Sequence, residues 1–215
     1  AARVLFPTGA PPPPTQRYWR VLVHRQFDGS AWSQGTPAPL LPHGTEPSGA
    51  IREQWLVEPT TLPWRPWGGA GVPMDPTSPL AVSASGGLWA GEPALQRQAY
   101  AIGASNGPGG WRLQPPTPED VAFPAGSNPR LERLGQRWRL TNPTPDALLV
   151  EAQHWFAAQH FRYSLEPGSL PPTAPLDALL FERRVGFCEH YASSFTALMR
   201  AAGIPARVIT GYQGG

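Results

Sequence analysis

The sequence holds a single thiol, Cys188, in the run Gly186-Phe187-Cys188-Glu189-His190-Tyr191. A cysteine attacks a carbonyl carbon as the thiolate. The N-terminus of a helix favours that anion, because its first N–H groups are unpaired and carry partial positive charge. Cys188, Tyr191, Ala192, Phe195, Leu198, Met199 and Ala202 fall at i, i+3, i+4, i+7, i+10, i+11 and i+14, the signature of a buried helical stripe. Gly203 and Pro205 end the pattern. The spacing therefore predicts a helix that begins at Cys188, with first-turn N–H groups able to hold an oxyanion. A structural cysteine buried on the same stripe fits the spacing equally well.

Other chemistries are narrowed by composition. All 17 basic residues are Arg, so the phosphate-cradling lysine of P-loop enzymes, Schiff-base chemistry and Ser-Lys pairs are excluded. One Cys allows neither an internal disulfide nor a Cys-rich zinc site. Cys188, Glu189 and His190 are consecutive and radiate around a helix, so they do not converge on one ion; no metal and no cofactor is expected. His190 lies about 200° round the helix from Cys188 at ~100° per residue, facing away from the thiol. His154 reads as a packed or surface side chain, and His24, His43 and His160 have no acidic or cysteine partner at useful spacing. Arg130, Arg133 and Arg137 share a helix face, and at a net charge of +2 they read as a solvated face, with no nucleic-acid partner.

The elements that must position the thiol follow from patterning over the 215 residues. Gly (23) and Pro (29) approach the level of low complexity, but nine Trp and eight Phe mark a chain that buries large side chains. Composition shifts near residue 125, giving a β-rich Trp/Pro/Gly-rich region, 1–125, and a helical region, 126–215. The fold class is α+β. Tyr18 to Phe27 alternates with period two and precedes an Asp28-Gly29 turn and Trp32. Ile51 to Glu58 and Leu95 to Gly103 are further strands, Gly109-Gly110 a turn, and Pro11 to Pro14 an extended lead-in. Asn128-Pro129 and Thr144-Pro145 read as helix starts. Leu148, Leu149, Ala152, Trp155 and Phe156 form one apolar face, Phe161 to Leu165 is extended, Leu176 to Phe181 a short helix and Ala206 to Tyr212 a strand. No run of ~18 apolar residues is present. The start Ala1-Ala2-Arg3 lacks a leader pattern and a Met, as expected of a piece of a longer protein.

Three blocks in order carry a specific resemblance. They are Gly186-Phe187-Cys188-Glu189-His190-Tyr191-Ala192, then Leu198-Met199-Arg200-Ala201-Ala202-Gly203-Ile204-Pro205-Ala206-Arg207-Val208, then Gly211-Tyr212. Together they resemble the transglutaminase-like cysteine family. Tyr18-Trp19-Arg20 with Phe27-Asp28-Gly29 and Trp32 is similar to the domain before that core in bacterial multi-pass inner-membrane proteins of the TgpA type.

The resemblance implies a papain-like transglutaminase core whose helical first part is 126–215, on the periplasmic or extracytoplasmic side of the inner membrane. It implies a protein or peptide substrate, and membrane contact only through segments outside this chain. It makes Cys188 the nucleophile of acyl transfer from a Gln carboxamide, or of amide hydrolysis, with Gly186, Phe187, Glu189, His190, Tyr191 and Tyr212 lining the site. No position here matches the family's catalytic His and Asp, so this chain is expected to be inactive alone. Its final strand is also expected to leave an open edge, through which two copies would pair unless the edge is tucked away. The alternative is a non-catalytic peptide- or glycan-binding module on a degenerate transglutaminase fold.

Overall fold

The computed structural model describes residues 1–35, 39–40, 47–74, 79–105 and 115–214. The Gly109-Gly110 turn and His43 lie outside the described residues. The first strands are β1 (Ala2–Leu5), β2 (Tyr18–His24), β3 (Gln26–Phe27), β4 (Trp32–Ser33) and β5 (Pro47–Val57). Then come β6 (Trp64–Arg65), β7 (Val72–Pro73), β8 (Ala81–Val82), β9 (Leu88–Trp89) and β10 (Gln98–Ser105). Helices α1 (Pro118–Val121), α2 (Pro129–Thr141) and α3 (Pro145–Ala158) follow, then β11 (Arg162–Tyr163), α4 (Pro175–Ala178) and β12 (Val185–Gly186). The series ends with α5 (Cys188–Ala201) and β13 (Val208–Gln213). The chain is α+β, as the pattern predicts.

These elements form two compact units, each assembled from separated stretches. The first comprises Ala1–Val23, Pro37–Pro115 and Ile209–Gly215; the second comprises His24–Thr36 and Pro116–Val208.

In the first unit, four strands pair antiparallel in the order β1-β5-β10-β7, and three short ones in the order β6-β9-β8. β2 and β13 form a two-stranded ribbon. The aromatics expected to supply core do so here: Trp19, Trp55 and Trp67 are buried with Leu80, Val82, Leu88 and Ile102. Trp55 stacks on its cross-strand neighbour Tyr100 at 6.1 Å and meets Trp19 edge-to-face at 6.0 Å. Burial of polar groups is matched by bonds. Glu53, whose carboxyl is pushed up by burial, accepts from Trp55 Nε1 (2.8 Å) and Gly68 N (3.1 Å). Arg65 donates to Gln98 Oε1, Leu62 O and Glu92 O at 2.8–3.0 Å.

The second unit is built round α5, which packs against α1 and α2; α2 packs against α3 in turn. Leu131, Leu134 and Trp138 of α2 meet Leu148 and Ala152 of α3 and Ala197, Leu198 and Met199 of α5 in one cluster. The helices approach closely at Gly135, where a Cβ would lie 2.8 Å from Ala201 Cβ. Phe27 joins the same cluster from the β3–β4 hairpin. The Asp28-Gly29 turn forms as the sequence predicts: Asp28 Oδ1 accepts from Ser30 N (2.8 Å) and Ala31 N (2.7 Å). Those bonds hold its carboxyl below the usual range.

Three expectations need correction. Asn128 does not cap its own helix. Its Oδ1 accepts from Leu176 N (2.9 Å), while Asp177 of α4 caps α2 by accepting from Arg130 N and Leu131 N, both at 2.8 Å. Two buried side chains thus cap each other's helices. Leu149 is exposed, because the buried face of α3 is narrower than the apolar pattern. The stripe on α5 is not uniformly buried either: Cys188 and Ala192 are exposed, whereas Ser193, Ser194, Thr196 and Arg200 are buried. From Ser193 onward α5 is a central helix, and its polar side chains find partners within the fold. Among the described residues, no helix is long and apolar enough to cross a membrane.

Candidate functional site

The chain enters the site through a tight reversal. A π-helical turn, Leu179–Arg183, ends at Arg184 in the left-handed conformation (φ 54°), and Arg184 N donates to Leu179 O at 2.9 Å. β12 then runs parallel to β11, with Arg162 N donating to Arg184 O (2.9 Å) and Ser164 N to Gly186 O (2.8 Å). Gly186 is required by crowding, since a Cβ there would sit 2.9 Å from His190 Cβ. Phe187, extended at φ −123°, is the N-cap of α5, and its N–H donates to His190 Nδ1 at 3.4 Å. Cys188 is therefore the first helical residue, and it is exposed. The buried-cysteine reading fails on that exposure.

Neighbouring side chains are fixed around it. The His190 ring stands edge-on to Phe187 with centroids 4.3 Å apart. Tyr191 packs on Phe161 at 5.4 Å, its hydroxyl donates to Arg162 O, and burial pushes its phenol up. Among the described residues no side chain hydrogen-bonds the Cys188 thiol, and no three His, Cys, Asp or Glu residues cluster as metal ligands. The geometry offers a solvent-facing thiol at the N-terminus of a helix.

Residues 136–215 match the transglutaminase-like superfamily, and residues 1–108 match the TgpA N-terminal domain. The whole chain aligns with the periplasmic domain of TgpA from Pseudomonas aeruginosa, solved alone and bound to ethylmercury. The TM-score is 0.83 and the identity 32% in each case, over 100% of this chain and 75% or 76% of that one. The chain belongs to the TgpA family of transglutaminase-like proteins.

Among curated relatives, it is 33% identical over 226 residues to a protein-glutamine gamma-glutamyltransferase of Pseudomonas aeruginosa strain PAO1. It is 34% identical over 65 residues to the uncharacterized protein YebA of Bacillus subtilis strain 168. This TgpA-family chain spans 32% of the first relative's length and 9% of the second's.

The second unit also explains why the Phe27-Asp28-Gly29 and Trp32 block matters. Trp32 stacks on Phe27 at 4.7 Å and donates from Nε1 to Ser193 Oγ of α5 at 2.9 Å. Its ring lies 4.6 Å from the guanidinium of Arg200, which donates to Arg25 O (2.7 Å), Ala122 O (3.2 Å) and Ala206 O (2.8 Å). Burial draws Arg200 down to about 10, with Asp120 and Glu119 opposing. Asp120, almost fully buried, is gripped by Arg25 (3.0 Å), Arg207 (2.8 Å) and Thr117 N (2.9 Å). Burial alone would raise its carboxyl; these donors overcome that and hold it far below the usual range.

The sequence-derived site residues divide between the units. Gly186, Phe187, Cys188, Glu189, His190 and Tyr191 come together at the start of α5, whereas Tyr212 lies on β13 in the first unit. One residue the sequence passed over joins the α5 group. Burial lowers the basicity of His24, and the carboxylate of Glu189, next to Cys188, opposes it. Trp32–Ser193 and Arg25–Arg200 show why: Arg25 and the β3–β4 hairpin meet Ser193 and Arg200 of α5, the face that Glu189, four residues before Ser193, also shares. No linear spacing signals that influence. Of the other histidines, His154 is exposed on α3, and His160 follows its C-terminus at φ 54°.

Proposed function

We propose that this chain carries the nucleophile of an extracytoplasmic cysteine acyltransferase that acts on the Gln carboxamide of a protein or peptide. One observation carries the reading: the sole thiol is exposed at the first residue of α5, over a helix end with no side-chain cap on the thiol itself. Two features of the relatives support it. One is described as a protein-glutamine gamma-glutamyltransferase, and another is a periplasmic domain bound to ethylmercury, a soft metal species that prefers thiolate sulfur.

In this reading the Cys188 thiolate adds to the carboxamide carbon, and the developing oxyanion accepts from the Cys188 backbone N–H. The C–N bond breaks, ammonia leaves with a proton, and a thioester remains. A primary amine or water then attacks the thioester carbon and releases the thiolate. Gly186, Phe187, Glu189, His190 and Tyr191 form the immediate walls.

The test is incorporation of a labelled primary amine into a Gln-containing peptide by the full-length protein, followed by mass spectrometry. The expected result is label on Gln, lost by at least a thousandfold in Cys188→Ser. Amide release without label would assign hydrolysis. Equal product from Cys188→Ser would overturn the reading and leave the non-catalytic binding module.

A further inference from the structure

The first unit contains a cavity of about 670 Å³, inside the ~300–1,000 Å³ range typical of small-molecule sites. It lies among β1, the start of β2 and the end of β13. Its apolar walls come from Val4, Phe6, Trp19, Trp55 and Tyr212. The strand register explains this lining: Val4 stands opposite Trp55 in the β1–β5 pair, and Trp55 is held in place between Trp19 and Tyr100. The two tryptophans are nearly buried and form a rigid floor, while Tyr212 and Leu5 are exposed at the mouth.

The charge of the lining is one-sided. Arg3 and Arg17 border the cavity, and no Asp or Glu does. Arg17 is anchored through Nε to Pro12 O at 2.8 Å, and its carbonyl accepts from Gly214 N at 3.0 Å. Among the described residues the Arg3 side chain makes no hydrogen bond or ion pair, so its guanidinium is available. A guanidinium matches a carboxylate with two parallel N–H···O bonds.

We propose that this cavity binds an apolar carboxylate, with its head at Arg3 and Arg17 and its hydrocarbon body against Val4, Phe6, Trp19 and Trp55. A peptide fits less well, because its amides would lose water against walls that are mostly carbon. The cavity's lining residues belong to the first unit and Cys188 to the second. The proposal stands or falls independently of the acyl-transfer reading.

The probe is dodecanoate below its micelle concentration, titrated into the protein and followed by tryptophan fluorescence and amide NMR shifts. Saturable one-to-one binding is expected, with shifts at Val4, Phe6, Trp19, Trp55 and Tyr212. Dodecanol, with the same tail and no charge, should bind at least tenfold more weakly. Arg3→Glu should weaken dodecanoate by at least tenfold; Arg3 is exposed, so its circular dichroism should match the parent, and the exposed Leu5→Asp gives a second, independent loss. Non-saturable binding would overturn the proposal. So would equal affinity for dodecanol, an unchanged affinity in Arg3→Glu, or shifts confined to other residues.

Discussion

Asp120 shows how much can rest on one carboxylate. Removing its charge takes the carboxylate partner from half-buried Arg207 and leaves buried Arg25 with Glu119 alone, at 3.3 Å; breaking a buried pair typically costs ~3–5 kcal/mol. Asp120→Asn is expected to lower stability by about that amount in urea unfolding. The pH dependence has a definite sign. The folded carboxyl lies below its unfolded value of about 3.9, so its contribution is complete above that pH and is lost as the medium becomes more acid. Acid titration of the wild type should show this loss, and Asp120→Asn should flatten it. His24 offers a second residue-level check. Burial lowers its basicity and Glu189 partly restores it, so its imidazole NMR midpoint should lie below about 6.5 and fall further in Glu189→Gln. A midpoint unchanged by that variant would remove Glu189 from its surroundings.

At the scale of elements, the exchanged caps tie α2 and α4 together. Asp177→Ala strips partners from Arg130 N and Leu131 N, near a buried helix start. The expected cost is about 2 kcal/mol, with Asp177→Asn retaining part of the stability in the same assay. The sequence showed the helix start at Asn128-Pro129 but not its cap, because the capping carboxylate lies 46 residues beyond Leu131, whose N–H it accepts. Period-two alternation placed Trp19, Val21, Val23 and Phe27 on one side; Trp19, Val23 and Phe27 are buried and Val21 is half-buried. Helical periodicity found where α5 starts. It could not show that α5 is buried on nearly every side beyond Ser193, since periodicity reports one partner surface and α5 has several.

At the scale of the molecule, the 24–36 hairpin is folded with the helices although unit-one sequence precedes and follows it. A fragment comprising 116–208 alone lacks Phe27 and Trp32, and Arg200 loses the carbonyl of Arg25. It should show no cooperative melt and poorly dispersed NMR spectra; a dispersed spectrum would mean that the hairpin is dispensable. Composition bears on chemistry at this scale too. With no lysine in the chain, we propose that it cannot act as a side-chain amine acceptor for its own acyl transfer. Mass spectrometry of the untagged chain, incubated with the active full-length protein, should find no isopeptide-linked multimers of the chain.

The sequence by itself determined the α+β class, the strand and helix periods, the helix that begins at Cys188 and the family motif around it. Those properties are local: each depends on residues within one or two turns, or on a contiguous motif. Tertiary structure decided that the thiol faces solvent, that Asp177 and Asn128 exchange caps, that the charge of Glu189 acts on His24, and that Tyr212 borders a cavity in the first unit. Each of these depends on which distant segments the burial of apolar surface brings together, and chain spacing carries no record of that.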